Sequence, residues 1–232
     1  MRIAIFSDVH GNYINLLSFF ESTKGLNIDK YICLGDLCNY YPDNEKVINL
    51  INSKNIICLL GNHDELYISD KLLSDEKKAK YCFDEKLKKA DNIKSFFKKL
   101  PQSLEINENG KSIFFCHASP IDLLNTYVYP DTDLNIYNDV PYDYIFMGHT
   151  HRQFLTEHHN KVFCNVGSIG LPRDNGSLMG FAVIDTNNFE IKLFRKVIDY
   201  RAVIVAYEKQ APPDVIKLMD RKESINFNYT LI

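Results

Sequence analysis

The stretch MRIAIFSDVHGN, residues 1–12, joins a short apolar run to polar side chains of the kind that bind metal ions. Residues 3–6 predict a buried strand, and residues 7–12 predict the loop that follows it. Asp8 and His10 stand two positions apart in that loop. On an extended strand end, side chains two apart point to the same side, so both could reach one ion.

The same alternation of apolar and amphipathic stretches continues along the chain. Apolar residues three apart from Ile14 to Phe20 predict a helix after the first loop. Residues 31–34 and 56–60 predict two further strands, and residues 44–53 predict a helix between them. This β-α-β-α-β order predicts a layered α/β fold in which functional residues lie at the carboxyl ends of the strands.

Residues 66–100 are rich in lysine interleaved with acidic and apolar residues. This pattern predicts two or three amphipathic helices that end at Pro101. The lysines are interpreted as a solvated helical face, with a basic lid that attracts phosphate as the alternative. The segment at about 66–100 is therefore expected to be lid-like.

The second half is predicted to be richer in strands. A turn signal at Asn109-Gly110 predicts a hairpin between residues 103–106 and 112–116. A helical tail beyond Pro213 is expected to pack on the outside. No linker or repeat divides the chain, so residues 1–232 are predicted to form one domain with a C-terminal tail at about 200–232. The remaining predicted strands cover residues 144–147, 161–165, 179–185 and 190–196.

The composition limits the classes of partner. The 232 residues carry 27 basic and 30 acidic side chains, a net charge of −3, so a dedicated nucleic-acid surface is not indicated. No signal peptide and no apolar run of ~20 residues is recognisable. The six cysteines show no CxxC spacing and are interpreted as buried thiols in a reducing compartment. A cytoplasmic location without membrane contact is expected.

Metal-binding side chains follow several of the predicted strands. Five of the seven histidines fall in these short pieces, which chance placement does not explain. A two-metal centre for phosphoester hydrolysis needs such ligands from several strand ends at once. The alternative is that single members are structural histidines or turn residues. The pieces are Asp8-Val9-His10, Gly35-Asp36, Gly61-Asn62-His63-Asp64, His117 and Gly148-His149-Thr150-His151.

The series DVHGN, GDLCNYYPDNEKVINLI, LLGNHDE, FFCHASP, MGHTHRQF and NVGSIGLPRDN resembles the calcineurin-like metallophosphoesterase superfamily. The resemblance extends from residue 1 to about residue 200, and its nearest branch is the small prokaryotic phosphodiesterases and diadenosine-tetraphosphatase-like proteins. It implies a four-layer αββα sandwich with two central mixed β-sheets. It also implies two divalent metal ions as cofactors, with Mn²⁺ preferred and Fe, Zn²⁺ or Ni²⁺ as alternatives.

The resemblance also implies roles for the residues of the motifs. His63 would be the proton donor, Asp64 its orienting partner, and a metal-bridging hydroxide would attack the phosphorus. Arg173 and Asn39 would contact substrate, although Arg173 is equally interpreted as a surface residue. Asn39 also stands where other members carry an Asp that supports the histidine. The implied metal ligands are Asp8, His10 and His151 for the first ion, Asn62, His117 and His149 for the second, and Asp36 for both.

The expected function is hydrolysis of small phosphomonoesters or phosphodiesters, with nucleotides among the possible substrates. The arginines of the protein-phosphatase motifs GDxVDRG and RGNHE are absent, which counts against a protein phosphatase. A dinucleoside polyphosphate hydrolase of the Ap4A type is the alternative. A non-catalytic scaffold of the same fold is a weaker alternative, because the chain keeps the whole ligand set. The oligomeric state is left open.

Overall fold

A computed structural model describes residues 1–224 and 227–232, in which two mixed β-sheets lie face to face. The strands are β1 (Arg2–Phe6), β2 (Lys30–Cys33), β3 (Ile57–Cys58), β4 (Ser103–Glu108), β5 (Lys111–Cys116), β6 (Tyr144–Met147), β7 (Phe154–His158), β8 (Lys161–Asn165), β9 (Leu178–Asp185), β10 (Glu190–Val197) and β11 (Thr230–Leu231). The first sheet has the order β11-β10-β9-β1-β2-β3, and the second has the order β4-β5-β6-β8-β7.

The helices are short, and side-chain caps begin several of them. The side chain of Asn12 accepts a hydrogen bond from a backbone amide in the first turn of α1, and Ser74, Asp84 and Asp199 do the same for α4, α5 and α7. The helices are α1 (Tyr13–Thr23), α2 (Asn44–Ser53), α3 (Asn62–Glu65), α4 (Asp75–Tyr81), α5 (Glu85–Lys89), α6 (Asp91–Phe97), α7 (Tyr200–Tyr207) and α8 (Pro213–Lys217), with 3₁₀ turns at Lys24–Leu26, Leu134–Tyr137 and Leu218–Asp220.

Parallel pairing puts the loops of interest at one end of the molecule. In the first sheet β1 runs parallel to β2, and β2 parallel to β3. In the second sheet β5 runs parallel to β6, and β6 parallel to β8. The predicted hairpin is confirmed, since β4 and β5 pair in antiparallel fashion around Asn109 and Gly110, which have positive φ angles of 48° and 76°.

The strands alternate their side chains between two cores, as the period of a strand requires. Ile3 and Ile5 face the space between the sheets, where they join Phe115 and Phe146 of the second sheet. The opposite face of the first sheet packs against the helices, in a core to which α1 contributes Leu16 and Phe19, α2 contributes Val47, Ile48 and Ile51, and α7 contributes Val203 and Tyr207.

The outer face of the second sheet is covered by the segment between β5 and β6. Val128, Leu134 and Tyr137 pack there against Phe114 and Phe163. The expected mixed α/β fold with two mixed sheets is confirmed. The regular element of this covering segment, in the described residues, is the 3₁₀ turn Leu134–Tyr137.

The lysine-rich segment forms α4, α5 and α6, in agreement with the two or three helices predicted. The third predicted strand shortens to the two residues of β3. The edge strand β7 was not predicted, because its residues after Phe154 alternate between partly and largely exposed and carry little apolar signal. Among the helices of the described residues, none has the length and hydropathy needed to cross a membrane.

Candidate metal centre

The predicted metal ligands come together where strands of both sheets end. Asp8 and His10 follow β1, and Asp36 follows β2, so the first sheet supplies these from adjacent parallel strands. Asn62 opens α3 directly after β3. The second sheet supplies His117 after β5, and His149 and His151 after β6. The facing sheets therefore deliver ligands from two sides of one cleft.

The ligand atoms fall into two clusters. In each of the groups Asp8, His10, His151 and Asp36, His117, His149, the candidate ligand atoms lie within 4.8 Å of one another. The Asn62 Oδ1 atom adds to the second cluster, 3.0 Å from the His117 Nε2 atom.

Asp36 lies between the clusters. Its Oδ2 atom is 3.6 Å from the His10 Nε2 atom and 3.4 Å from the His117 Nε2 atom. Its Oδ1 atom accepts a 2.8 Å hydrogen bond from the backbone amide of His63, which fixes the direction of the carboxylate. One carboxylate oxygen is thus placed to face both clusters.

Backbone carbonyls orient the histidine rings. The Nδ1 atoms of His10, His117 and His151 donate to the carbonyl oxygens of Cys38 at 2.8 Å, Leu34 at 3.1 Å and Leu171 at 2.6 Å. Each ring, when neutral, then presents the lone pair of its Nε2 atom to the cleft. His149 is reversed, because its Nε2 atom donates to the carbonyl of Asn125 at 3.2 Å and leaves Nδ1 as the ligand atom.

The first cluster needs a cation to balance its acceptors. The Asp8 Oδ1 atom is buried and, among the described residues, has no hydrogen-bond partner. It lies 3.2 Å from the His151 Nε2 atom and 3.7 Å from the His10 Nε2 atom, and these two nitrogens are 3.1 Å apart. With both Nδ1 atoms protonated, the oxygen and the two nitrogens direct lone pairs at one another. A divalent ion bound among them would satisfy all three, so the residues fit the implied metal.

The buried carboxylates are held ionised by the histidines. Burial raises the pKa of Asp8, but His151 lowers it further, so the pKa of Asp8 lies below its usual range. Burial likewise raises the pKa of Asp36, but His117 and His63 lower it by more, so the pKa of Asp36 is well below its usual range. Ionised carboxylates are the form that binds a metal ion.

The histidines differ in their affinity for a proton. Burial lowers the pKa of His10 well below its usual value and that of His149 to about 4. Burial also disfavours the charged form of His117, but the adjacent Asp36 outweighs it and raises the pKa of His117 to about 9. In the metal-free protein His117 is therefore positively charged at neutral pH.

Five of the ligands adopt left-handed backbone conformations. Their φ angles are 56° for Asp8, 52° for His10, 56° for Asp36, 64° for His149 and 59° for His151. The extended geometry predicted for the strand end at Asp8 and His10 is wrong. Non-glycine residues seldom adopt this conformation, which costs about 1–3 kcal/mol per residue. It persists where the surrounding contacts enforce it, often at a functional site.

Two glycines allow the loops to meet. A Cβ atom at Gly61 would overlap the backbone amide and the Oδ1 atom of Asp36. A Cβ atom at Gly148 would overlap the Ser7 Oγ atom and the Asp8 Oδ2 atom. These contacts bring the ligand loops together within and between the sheets, which a larger residue would prevent.

His63 is held by a chain of hydrogen bonds. The backbone amide of Asp84 lies 3.4 Å from the Tyr67 hydroxyl, which donates to the Asn39 Oδ1 atom at 2.8 Å. The Asn39 Nδ2 atom then donates to the His63 Nδ1 atom at 2.9 Å. Because Nδ1 accepts, the neutral ring carries its proton on Nε2. Burial lowers the pKa of His63 to about 4, which keeps the ring neutral at pH 7.

Asp64, which was predicted as the orienting partner of His63, contacts backbone amides instead. Its carboxylate accepts hydrogen bonds from the amides of Leu37 at 2.9 Å, Cys38 at 3.2 Å and Gly61 at 3.2 Å. It thereby ties the loop after β2 to the turn that carries Asn62. Asn39 takes the place beside His63, and since Asn39 is fully buried, its amide orients the histidine in this structure.

Aromatic rings and one arginine surround the mouth of the centre. Arg173 donates from Nη2 to the Tyr40 hydroxyl at 3.4 Å, and its guanidinium lies 6.0 Å from the centre of that ring. Burial raises the pKa of Tyr40 to about 12, while Arg173 opposes the shift. Tyr40 and Tyr81 both contact the His63 ring, at centroid distances of 5.0 Å and 4.7 Å.

Several buried polar residues around the centre were not predicted. Asn12 and Asn15 donate to the carbonyls of Gly170 and Ile169, and the Ser168 hydroxyl donates to the carbonyl of Asp8 at 2.7 Å. These bonds fasten the GSIG loop beneath the first cluster. Ser168 and Asn12 lie in recognisable motifs and Asn15 does not, but local sequence does not identify the partners of the two asparagines, which lie more than 150 positions away.

Comparison with known proteins gives consistent results. A family model described as "Calcineurin-like phosphoesterase superfamily domain" matches residues 1–188. Uncharacterized protein MJ0912 of Methanocaldococcus jannaschii is 30% identical over 226 residues, covering 89% of this chain and 90% of that protein.

Solved structures share the fold. The metallophosphoesterase from Sphaerobacter thermophilus superposes with a TM-score of 0.75 at 20% identity, covering 94% of this chain and 98% of that one. The hypothetical protein PH1004 from Pyrococcus horikoshii OT3 gives a TM-score of 0.74 at 21% identity, covering 97% and 99%. At these identities the likeness concerns the fold.

Proposed function

Because the chain belongs to the calcineurin-like phosphoesterase superfamily, we propose that it is a two-metal hydrolase of small phosphomonoesters or phosphodiesters. The observation that carries the proposal is the position of Asp36 between two clusters of buried ligands. A single carboxylate facing both clusters is what a pair of ions ~3.5–4 Å apart requires. The organisation as one domain and the cytoplasmic location remain predictions.

The two clusters would divide the metal ligands as the resemblance implies. Asp8, His10 and His151 would hold one ion, and Asn62, His117 and His149 the other, with Asp36 shared. The set contains oxygen and imidazole donors without thiolate, which suits Mn²⁺, Fe, Zn²⁺ or Ni²⁺, and we favour Mn²⁺. Bound ions would neutralise phosphoryl charge and bring the pKa of water in the site toward neutrality.

The protein groups would supply orientation and hydrogen bonds. His63 would donate a hydrogen bond from Nε2 to the oxygen of the leaving group, where negative charge develops, because Asn39 occupies Nδ1 and burial keeps the ring neutral. Arg173 would bind a phosphoryl oxygen, since its guanidinium lies at the mouth beside Tyr40. Asp64 would act indirectly, by holding the turn that presents Asn62 and His63.

A hydrolase of dinucleoside polyphosphates is the second candidate. A cavity of about 80 Å³ adjoins Asn62 and His63, and its lining includes Lys71, Lys77 and Tyr81 together with one acidic residue, Glu65. Two lysines beside the centre would suit additional phosphates of a longer substrate. The non-catalytic scaffold is disfavoured, because the ligand set and His63 are both kept.

The test compares p-nitrophenyl phosphate with bis-p-nitrophenyl phosphate on Mn²⁺-loaded protein, together with metal content. We expect two ions per chain, hydrolysis of at least one ester, and loss of both activity and metal in Asp36→Asn. Asp214→Asn is the matched control, because the Asp214 side chain is 94% exposed, whereas Asp36 is buried. Full activity in Asp36→Asn, or well under one ion per wild-type chain, would overturn the proposal.

A further inference from the structure

Two tyrosines of the segment between β5 and β6 stand beside the metal centre with much of their surface free. The Tyr127 ring stacks on His149 at a centroid distance of 4.0 Å and an angle of 25°. Tyr129 lies parallel to Tyr127, at 5.8 Å and 5°. Their exposed fractions are 46% and 37%. The rings thus form a short aromatic ladder that starts at a candidate metal ligand and leads outward.

The other tyrosines of the same stretch serve packing. Tyr137 is completely buried, and Tyr142 stacks on Phe114 at 4.1 Å. Tyr144 stacks on Phe189 at 5.2 Å. The two ladder residues differ from these, because a large part of each ring remains open to solvent next to the cleft. Packing in the folded protein therefore leaves part of the ladder available.

The ladder is held in place by its own segment. The Asp122 carboxylate accepts hydrogen bonds from the amides of Leu124 and Asn125 and from the Thr126 hydroxyl, which fixes the turn before the ladder. Val128, between the two tyrosines, is buried against the second sheet. In a locally extended segment the residues on either side of an inward-facing one point outward together. The two rings are thus preorganised.

The ladder adjoins the second metal-ligand cluster through His149. The His149 ring stacks on Tyr127, and its centroid lies 5.0 Å from that of His117. An aromatic group joined to a phosphate held at this cluster would therefore meet the ladder.

We infer that Tyr127 and Tyr129 form a stacking subsite for a nucleobase, so that the substrate is a nucleoside phosphate. This inference rests on the proposed phosphoesterase function and names the class of substrate. Two parallel, half-exposed phenol rings offer the surface on which a base stacks, and such stacking contributes about 1–3 kcal/mol per base in other proteins. The metal centre would hold the phosphate, and the ladder would hold the base.

The first test measures the contribution of the base by pairs of substrates. Adenosine 5′-monophosphate is compared with ribose 5-phosphate, and thymidine 5′-(p-nitrophenyl phosphate) with methyl p-nitrophenyl phosphate, so that either ester class is covered. We expect kcat/KM to favour the member with a base, and Tyr129→Leu to reduce that preference at least about fivefold. Tyr200→Leu is the matched control, because Tyr200 is 38% exposed on α7.

The second test reads binding without turnover. The chain contains no tryptophan, so Tyr129→Trp introduces a single reporter that keeps an aromatic ring in the ladder. We expect adenosine 5′-monophosphate to quench its fluorescence at concentrations where ribose 5-phosphate does not. Equal kcat/KM within both pairs, or equal quenching by the two ligands, would overturn the subsite. Hydrolysis of p-nitrophenyl esters with no base preference would leave the proposed function standing, whereas no hydrolysis of any ester would count against that function itself.

Discussion

The Asn39 side-chain nitrogen lies 2.9 Å from the His63 Nδ1 atom and donates a hydrogen bond to it. The orientation of the Asn39 amide is fixed by a second hydrogen bond, which the Tyr67 hydroxyl donates to the Asn39 Oδ1 atom at 2.8 Å. An amide in this position orients the histidine without attracting a second proton to it, unlike a carboxylate. His63 is thus arranged as a neutral hydrogen-bond donor through Nε2.

Replacing Asn39 by Asp should reverse this arrangement. The carboxylate accepts a hydrogen bond instead of donating one, so the proton should move to Nδ1 and the pKa of His63 should rise. The measurement is the nitrogen NMR spectrum of His63 in Zn²⁺-loaded protein, which identifies the protonated nitrogen. Tyr67→Phe is the companion variant, because it frees the amide to rotate. A proton on Nδ1 in the wild type would contradict the arrangement.

Replacing His63 by Leu should separate the hydrogen bond to the leaving group from metal binding. A donor aimed at developing charge typically contributes ~10²–10³-fold, so alkyl phosphoesters should lose rate within that range. p-Nitrophenyl esters should lose less, because the charge of their leaving group is delocalised over the ring. Steady-state kinetics over a series of leaving groups checks this, with two ions per chain retained. His159→Leu, at an exposed turn, is the control. Equal losses for all leaving groups would remove His63 as the donor.

Metal-free protein should lose stability as the pH falls from about 6.5 to about 4. The pKa values of His63 and His149 are lowered to about 4 by burial, so in this window the unfolded chain binds protons that the folded chain does not. Each such histidine contributes a slope of up to ~1.4 kcal/mol per pH unit. His117, with its pKa raised to about 9, has the opposite effect at higher pH. The stability that it contributes is lost as the pH rises from about 6.5 to about 9.

The measurement for this pH effect is chemical unfolding in the presence of a chelator at several pH values. His63→Gln should show a smaller slope between pH 6.5 and 4 than the wild type. A slope unchanged by the substitution would show that His63 titrates alike in the folded and unfolded chains.

Asp174→Ala should destabilise the protein strongly. Its carboxylate pairs with both terminal nitrogens of Arg195, which is completely buried at the first sheet. Removing the carboxylate leaves a buried charge without its partner, at a cost of about 3–5 kcal/mol. Glu223→Gln is the matched control, because the Arg152–Glu223 pair is partly exposed and should contribute under ~1 kcal/mol. Denaturant unfolding compares them, and similar losses would contradict the expectation.

Gly148→Ala should weaken metal binding while the fold persists. The new Cβ atom would overlap Ser7 Oγ and Asp8 Oδ2, so the loop after β6 must move away from the first cluster. Titration with Mn²⁺ should show at least about tenfold weaker binding of one ion, with circular dichroism unchanged. Gly25→Ala is the control, because no heavy atom lies within 4 Å of a Cβ there. Wild-type affinity in Gly148→Ala would show that the loop yields without displacing Asp8.

The general fold and the candidate ligands were predictable because both depend on short-range patterns. Alternating apolar runs predicted the order of strands and helices, and the polar residues at their ends predicted ligand types. The edge strand β7 was missed, because an edge strand that is largely solvated lacks an apolar run. The left-handed backbone at Asp8 and His10 was also missed, since non-glycine residues adopt it only when surrounding contacts enforce it.

The sequence by itself determined the family, the fold class and the set of candidate metal-binding side chains, since these follow from motifs and from the periodicity of buried strands. The tertiary structure alone decided the contacts between distant residues. It placed Asn39 rather than Asp64 beside His63 and oriented the imidazoles of the candidate ligands through backbone carbonyls. It also left Tyr127 and Tyr129 exposed, while neighbouring tyrosines are buried or stack on other rings. The reason is physical: hydrogen-bond partners and buried surface are set by groups far apart in the chain, and local sequence does not specify which of them meet.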